Sequence, residues 1–210
     1  MYILDIETRA DKRLLPVFSA SARPPRNLKD PEKIQEWFAK KEADSSRLMA
    51  TDPDYADIVC IGVKEIGEAG FALTPTEFLE WLREPVREGS KDKRGDHETF
   101  ITFNGKNFDL PVLIKYGIKN GLDLPYSRYM AGCRKWGTYA GHTDLLEVLA
   151  NGLEYKSLDT YLRIYLGIEK ETSGDDFFRK ATDEELMKHC VQDLEYTEQL
   201  VEKFRPMLNI

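Results

Sequence analysis

Ile3-Leu4-Asp5-Ile6-Glu7-Thr8, near the start of the chain, is an apolar run that carries two carboxylates one residue apart. Because side chains alternate faces along a β-strand, a strand here places Asp5 and Glu7 side by side and directs Leu4 and Ile6 into a core. Two adjacent anions repel each other and cost stability unless a cation lies between them. The pair therefore indicates a divalent metal site, and the alternative is a solvated edge strand with two charges on its wet face.

The composition is that of a globular protein, and 210 residues suffice for one large domain with a sizeable core. No stretch approaches the roughly 20 apolar residues that a membrane span needs. The chain begins directly with the strand, so we expect no signal peptide. The three cysteines, Cys60, Cys133 and Cys190, form no CxxC pair, which disfavours a zinc site or a disulfide framework. These features predict a cytoplasmic protein without a membrane partner.

The net charge of −7 argues against tight, non-specific coating of duplex nucleic acid, since proteins that do so are usually basic. It does not exclude a nucleic-acid enzyme, because a cluster of metal-binding carboxylates adds negative charges that bound cations offset. An acidic chain is thus compatible with a metal-dependent enzyme that engages nucleic acid at one site.

Apolar periodicity and turn signals predict strands that alternate with helices, which favours a single α/β domain. The later strands are predicted at 58–63, 71–73 and 99–103. The helices are predicted at 31–43, 74 to about 87, 110–116, 157–167 and 182 to about 204. Residues 143–149 fit either a strand end or a helix. Four segments show no regular pattern, namely a polar insertion from about 9 to 57 around the helix at 31–43, a charged loop at 91–96, a Gly-rich stretch at 119–142, and a polar loop at 169–181.

The second informative segment is Thr102-Phe103-Asn104-Gly105-Lys106-Asn107-Phe108-Asp109-Leu110-Pro111. A predicted strand ends at Asn104-Gly105, and Asp109 lies at the start of the helix that follows. An Asp at that position is commonly a helix cap. Strand ends and the helix starts after them are also where α/β folds place their sites. Asp109 is therefore predicted to be either a cap or a site carboxylate.

The third segment lies on the predicted C-terminal helix and reads His189-Cys190-Val191-Gln192-Asp193-Leu194-Glu195-Tyr196. His189 and Asp193 are four residues apart and Tyr196 follows three later, so all three share one helix face. A carboxylate on an otherwise apolar stripe needs a partner. The alternatives are a structural His189–Asp193 pair and a functional site.

These three segments, in this order, resemble the DEDD superfamily of 3′–5′ exonucleases. The stretch 103–111 is similar to the second exonuclease motif of family B DNA polymerases, and His189-Cys190-Val191-Gln192-Asp193 is similar to their third motif, Tyr-Cys-x-x-Asp. Residues 27–63 resemble stand-alone phage and prophage exonucleases related to that proofreading domain. The resemblance covers nearly the whole chain.

The resemblance implies an RNase H-like fold, a mixed β-sheet flanked by helices, and hydrolysis of DNA from a 3′ end to nucleoside 5′-monophosphates. It implies two Mg²⁺ or Mn²⁺ ions, oxygen-liganded as these hard cations prefer. The ions would be held by the four motif carboxylates, Asp5, Glu7, Asp109 and Asp193. His189 would orient the attacking water and accept its proton.

The spacing of His189 departs from the superfamily pattern. One branch has Tyr four residues before the last Asp, and the other has His five before it. Here Lys188 stands five before Asp193, and His189 stands four before, in the Tyr place. Tyr196 lies on the wrong side of Asp193 for this role, and we expect it to pack or to support the site.

Three residues are expected to contact the substrate. Thr8 would meet the terminal nucleotide, and Asn104 and Phe108 would face the penultimate one, Phe108 by stacking. A core role is an equal alternative for Phe108. The insertion at 9–57 is a candidate lid or strand-guiding arm, or else a surface decoration.

The expected partner is single-stranded DNA with a 3′ end, together with a DNA polymerase or other replication protein if the chain proofreads in trans. An RNA-trimming exoribonuclease is an alternative, since no feature of the sequence reports on the 2′-OH. A non-catalytic nucleic-acid-binding module of a polymerase is another, and an RNase H-type endonuclease a third.

Overall fold

The computed structural model describes residues 1–85, 93–94, 99–133, 141–170 and 175–208. Five strands within these ranges form one sheet, in the order β3-β2-β1-β4-β5. They are β1 (Tyr2–Ala10), β2 (Ala56–Glu65), β3 (Phe71–Leu73), β4 (Phe100–Thr102) and β5 (His142–Asp144). β1 pairs antiparallel with β2 and parallel with β4, so the sheet is mixed and β1 lies at its centre.

Ten α-helices surround the sheet in the described part of the chain. The first five are α1 (Leu15–Ser21), α2 (Pro31–Ala43), α3 (Ser45–Ala50), α4 (Pro75–Arg83) and α5 (Asp109–Asn120). The others are α6 (Tyr126–Gly132), α7 (Leu145–Ala150), α8 (Leu158–Leu166), α9 (Asp175–Lys180) and α10 (Asp183–Leu208). A short 3₁₀ helix, Lys12–Leu14, precedes α1.

Alternation along β1 distributes its side chains between two apolar clusters. Leu4 and Ile6 belong to a cluster that also contains residues of α4 and α5. Ile3 belongs to a second cluster, with residues of α7, α8 and α10. The prediction that Leu4 and Ile6 point into a core is confirmed, as is the mixed α/β sheet flanked by helices. The edge-strand alternative for Asp5 and Glu7 is wrong, because β1 is paired on both sides.

The helix predicted at 31–43 is confirmed as α2. Its N-terminus is capped by the side chain of Asp30, which accepts a hydrogen bond from the backbone of Glu32 at 3.0 Å. The rest of the 9–57 insertion is more regular than predicted, since β1 continues to Ala10 and α1 and α3 also lie there. Met49 of α3 is almost fully buried, so tertiary burial orders a segment whose sequence is mostly polar.

The helix predicted to stop at Gly117 continues to Asn120. The stop is instead Gly121, which adopts the left-handed conformation of a helix C-cap (φ 64°). Gly117 serves close packing, since a Cβ there would lie 2.6 Å from the side chain of Leu124. The loop predicted at 169–181 is also wrong in part, because α9 forms within it and packs two phenylalanine rings on α10.

Other boundaries shift by a few residues. The capping box at Thr74 and Glu77 is confirmed, but α4 ends at Arg83. Residues 143–149 contain both predicted alternatives, the end of β5 followed by α7. The helix capped by Ser157 is confirmed, and α10 runs four residues beyond the predicted end, to Leu208. Most of the loop predicted at 91–96 lies outside the described residues.

No helix in the described ranges combines the length and the apolar character that a membrane crossing requires.

Candidate active site

The site begins on β1, where Asp5 and Glu7 project from the same face of the central strand. Glu7 is only 8% exposed, and Asp5 is partly buried. The pairing register with β2 shifts between Glu7 and Thr8, so that Glu7 faces Cys60 while Thr8 faces Ile58. Such a bulge bends the strand and redirects neighbouring side chains, and it lies directly beside the second carboxylate.

Asp109 is the first residue of α5 and is 3% exposed. It does not cap the helix, because the cap residue is Phe108 and no side chain makes a cap hydrogen bond there. Its Oδ1 atom is buried and has no hydrogen-bond partner within the described ranges. The cap alternative for Asp109 is therefore wrong.

Hydrogen bonds to the end of β5 hold the turn before Asp109. The side chain of Asp144 accepts hydrogen bonds from the backbone N–H groups of Asn104 at 2.9 Å and Lys106 at 3.0 Å. Asn104 sits at positive φ (69°), which Asn tolerates better than most residues. Asp144 was not singled out from the sequence, although an acidic residue at the end of a parallel strand is the signal that could have found it.

α10 carries the remaining two groups, His189 and Asp193. The Nε2 atom of His189 lies 3.8 Å from Glu7 Oε1 and 3.8 Å from Asp193 Oδ2, so the imidazole stands between the second and the last of the four carboxylates. α10 approaches β2 closely at Gly62, where a Cβ would meet Cys190 Sγ at 2.6 Å. Because Gly62 pairs with Asp5 in the sheet, this contact brings the helix to the level of the carboxylates.

Tyr196 takes no part in this group. It is buried in the second apolar cluster, and its hydroxyl accepts a hydrogen bond from Gln192 Nε2 at 3.0 Å. The expectation that Tyr196 packs is confirmed.

The carboxylates are coupled through burial and mutual repulsion. Burial, and next the charge of Asp193, raises the pKa of Asp5 to about 7. The pKa of Glu7 is raised well above its ordinary range, first by burial and then by Asp5 and Asp193. Burial and the charge of Asp5 likewise raise the pKa of Asp109. The four motif carboxylates therefore share one electrostatic environment that disfavours their combined negative charge.

Lys170, which no sequence pattern indicated, supplies a positive charge inside this environment. Its Nζ atom lies 2.6 Å from Asp193 Oδ2, and the two side chains are 10% and 14% exposed. The same ammonium group lowers the pKa values of Asp5 and Glu7 against the larger effect of burial. Lys170 thus offsets part of the repulsion between the carboxylates.

His189 is enclosed by aromatic side chains from α9. The ring centroids of Phe177 and Phe178 lie 5.1 and 5.2 Å from the imidazole centroid, and His189 is 3% exposed. Burial lowers the pKa of His189, although the charge of Asp193 acts in the opposite direction. The imidazole is therefore held in its neutral form near neutral pH, as a proton acceptor requires.

The donor set fits a hard divalent cation, because all four motif side chains offer carboxylate oxygens. Asp109 Oδ1 and Asp193 Oδ1 are buried acceptors that no donor among the described residues satisfies. In the same ranges, no three His, Cys, Asp or Glu side chains are already gathered as ligands for one ion.

A cavity of about 700 Å³ opens beside Glu7. Thr8 and Phe108 line it, whereas Asn104 does not. The Oγ1 atom of Thr8 donates a hydrogen bond to the carbonyl of Ala50 in α3 at 2.7 Å, and the side chain of Asn104 accepts one from Asn107. Two of the three expected substrate contacts thus lie at the cavity, and their roles stay predictions.

Comparison with protein-family models gives no match, and no curated protein matches the chain. Among solved structures, the chain is similar to the family B DNA polymerase from the hyperthermophilic archaeon Pyrobaculum calidifontis, with a TM-score of 0.52 and 17% identity. The match covers 98% of this chain and 24% of that one, so the chain spans about a quarter of the polymerase's length. At this identity the likeness concerns the fold alone.

Proposed function

We propose that the chain is a metal-dependent 3′–5′ exonuclease with an RNase H-like fold. It hydrolyses phosphodiester bonds from the 3′ end of DNA, preferably single-stranded, and releases nucleoside 5′-monophosphates. The observation that carries this proposal is the pair of buried oxygens, Asp109 Oδ1 and Asp193 Oδ1, which lack donors among the described residues within a group of four coupled carboxylates. Buried anions of this kind need a cation, and a single lysine offsets only one charge.

The comparison with a family B DNA polymerase supports a nucleic-acid role, because the chain matches about a quarter of that protein over nearly its own full length. The motif order supports the exonuclease part, since DxE, NxxxFDxP and HCxxD fall on β1, before α5 and on α10. The substrate would be a 3′ end of DNA in the cytoplasm, met alone or in trans with a polymerase.

Asp5, Glu7, Asp109 and Asp193 would hold two Mg²⁺ or Mn²⁺ ions. When bound, these ions supply Lewis acidity and offset the negative charge that develops around phosphorus. The four carboxylates come from three separate elements, β1, α5 and α10, and would hold the ions where these elements meet.

His189 would orient the attacking water and accept its proton as the bond from phosphorus to the 3′ oxygen breaks. Its Nε2 atom lies 3.8 Å from Glu7 Oε1 and 3.8 Å from Asp193 Oδ2, so the imidazole stands beside two of the carboxylates that would hold the ions. The enclosing phenylalanines keep it neutral and ready to accept a proton.

The test is digestion of a linear and a circular single-stranded DNA of the same sequence with Mn²⁺. An exonuclease shortens the linear strand to mononucleotides and leaves the circle intact, whereas an endonuclease linearises the circle. EDTA should abolish digestion. Cleavage of the circle, or mononucleotide release in EDTA, would overturn the proposal.

The same assay separates the remaining candidates. An RNA oligonucleotide of matched sequence, digested in parallel, reports exoribonuclease activity if it is cleaved faster than the DNA. A non-catalytic module leaves every substrate intact and gains no thermal stability from Mg²⁺ or Mn²⁺, because a real site is stabilised by its ligand.

A further inference from the structure

Among the described residues, the lining of the cavity beside Glu7 is richer in cations than in carboxylates. The chain carries a net charge of −7, yet Glu7 is the one carboxylate among the described residues that line this cavity. Four cationic side chains of the described ranges line it, namely Arg9, Lys12, Arg47 and Arg179, and Arg9 forms an ion pair with Asp183 at 2.8 Å. A positive groove in an acidic protein concentrates anions at that point.

Two of these cations come from segments that the sequence predicted to be irregular. Arg47 belongs to α3, in the 9–57 insertion, and Arg179 belongs to α9. Both face the carboxylate of Asp44, each at 3.9 Å, so that one anion lies between two guanidinium groups. We call Arg47 and Arg179 the cationic wall of the cavity.

We propose that the cationic wall binds backbone phosphates of a single-stranded polynucleotide as its end enters the cavity towards Glu7. This inference rests on the proposed exonuclease function and names how that site holds its strand. Both arginines are substantially exposed (39% and 49% of their side chains), so a ligand in the cavity can reach their guanidinium groups. Guanidinium groups bind phosphate with two parallel hydrogen bonds.

The shape of the cavity agrees with an unpaired strand. Its volume of about 700 Å³ lies in the range of small-molecule sites, which is enough room for a terminal nucleotide. Phe108 and Phe178 also line it, and Phe178 is 39% exposed. Exposed aromatic rings beside cations are the combination that binds single strands, by base stacking and phosphate contact together.

The test measures binding separately from cleavage. A fluorescent oligothymidylate is titrated against wild type and against an Arg47→Ala/Arg179→Ala variant in Ca²⁺, over a series of salt concentrations. We expect the Kd of the variant to rise about tenfold near 0.1 M salt. We also expect the slope of log K against log salt to fall by about 1.4, since each single-strand phosphate contact contributes about 0.7. Arg26→Ala/Lys33→Ala is the matched control, because both residues are exposed in the same insertion and do not line the cavity.

The Asp44→Asn variant shows whether the cationic wall binds DNA or only holds α3 against α9. Removal of the competing carboxylate should tighten DNA binding, whereas loss of binding would mean that Asp44 and the arginines only hold α3 against α9. The proposal fails if the double variant and its control bind alike. If the wild-type protein still cleaves the strand in Mn²⁺, the exonuclease function remains supported. If the wild-type protein binds the strand through the cationic wall but does not cleave it, the exonuclease function is overturned and the binding proposal stands.

Discussion

Lys170 Nζ and Asp193 Oδ2 lie 2.6 Å apart beside the carboxylates of β1. The lysine comes from the segment after α8, and the aspartate from α10. The ammonium group lowers the pKa values of Asp5 and Glu7 as well, so it acts on three of the four carboxylates. Its positive charge therefore offsets part of the repulsion among these carboxylates.

Replacement of Lys170 should destabilise the protein, because the carboxylates near it would then repel each other more strongly. We expect Lys170→Met to destabilise the EDTA-treated protein by up to about 3 kcal/mol, since removal of one partner strands a buried charge. Saturating Mg²⁺ should recover much of the loss. Urea unfolding with and without metal measures both effects. Lys156→Met is the control, because Lys156 meets Glu154 in an exposed pair at 3.6 Å and should matter little. An equal loss in both variants would contradict this role of Lys170.

Neutral replacements of the carboxylates should remove cleavage without unfolding the chain. Asp5→Asn, Asp109→Asn and Asp193→Asn should each lower the rate by about a thousandfold, the equivalent of several kcal/mol of metal-dependent stabilisation. The metal-free Asp5→Asn and Asp109→Asn variants should unfold at the wild-type temperature or above it, since each loses a repelling charge. Asp193→Asn should unfold at a lower temperature but stay folded, because it leaves the buried ammonium group of Lys170 without its carboxylate. Single-turnover digestion and thermal denaturation measure the two effects. Full activity in any one variant would exclude that residue from the site.

Substitutions of His189 and Tyr196 should affect the cleavage rate very differently, although both residues lie on α10. His189→Ala should lower the single-turnover rate by about 10²–10⁴, the range of a general base. Tyr196→Phe should stay near wild type, because the tyrosine ring is buried away from the carboxylates and loses one hydrogen bond with Gln192. The reverse order of rates would transfer the role of base to Tyr196.

The metal-free protein should lose stability as the pH rises through neutrality. The pKa of Asp5 is raised from 3.8 to about 7 by burial and Asp193, against smaller opposing effects of Cys190 and Lys170. Because the folded state holds this proton more tightly, the stabilisation is complete below pH 3.8 and is lost as the pH passes 7. The melting temperature in EDTA should therefore fall between about pH 6 and about pH 8.

Two controls test the origin of that fall. Asp5→Asn should flatten it, and Mg²⁺ should suppress it, since a bound cation favours the ionised carboxylates. Protonation of His189 does not interfere above about pH 6, because burial lowers its pKa. A melting temperature that rises over this range would contradict the coupled cluster.

The sequence was sufficient for the parts of the site that local patterns encode. Alternation on β1 predicted that Asp5 and Glu7 share a face, and helical spacing predicted that His189 and Asp193 do. Lys170 could not be predicted, because its contact with Asp193 spans 23 positions and depends on how α8 packs against α10. The role of Asp144 is also a long-range one, since its hydrogen-bond donors are backbone N–H groups of a turn some 40 positions away.

The errors in the predicted secondary structure also arise from long-range contacts. The polar segments that contain α3 and α9 lack strong periodicity, yet tertiary contacts order them, since Met49 is buried and the half-buried Phe177 packs against His189. Gly117 resembled a helix stop because sequence spacing does not show that its missing side chain makes room for Leu124. Local patterns therefore predicted the elements, and tertiary packing decided their ends.

The most direct test of the nuclease site is a time course on one single-stranded DNA, labelled in separate reactions at its 3′ or its 5′ end, with Mn²⁺ and an Asp5→Asn control. Wild type should release the 3′ label first as a mononucleotide and shorten the 5′-labelled strand through a ladder, and Asp5→Asn should do neither. Early release of the 5′ label as a mononucleotide, or equal digestion by Asp5→Asn, would contradict a 3′–5′ exonuclease built on these carboxylates.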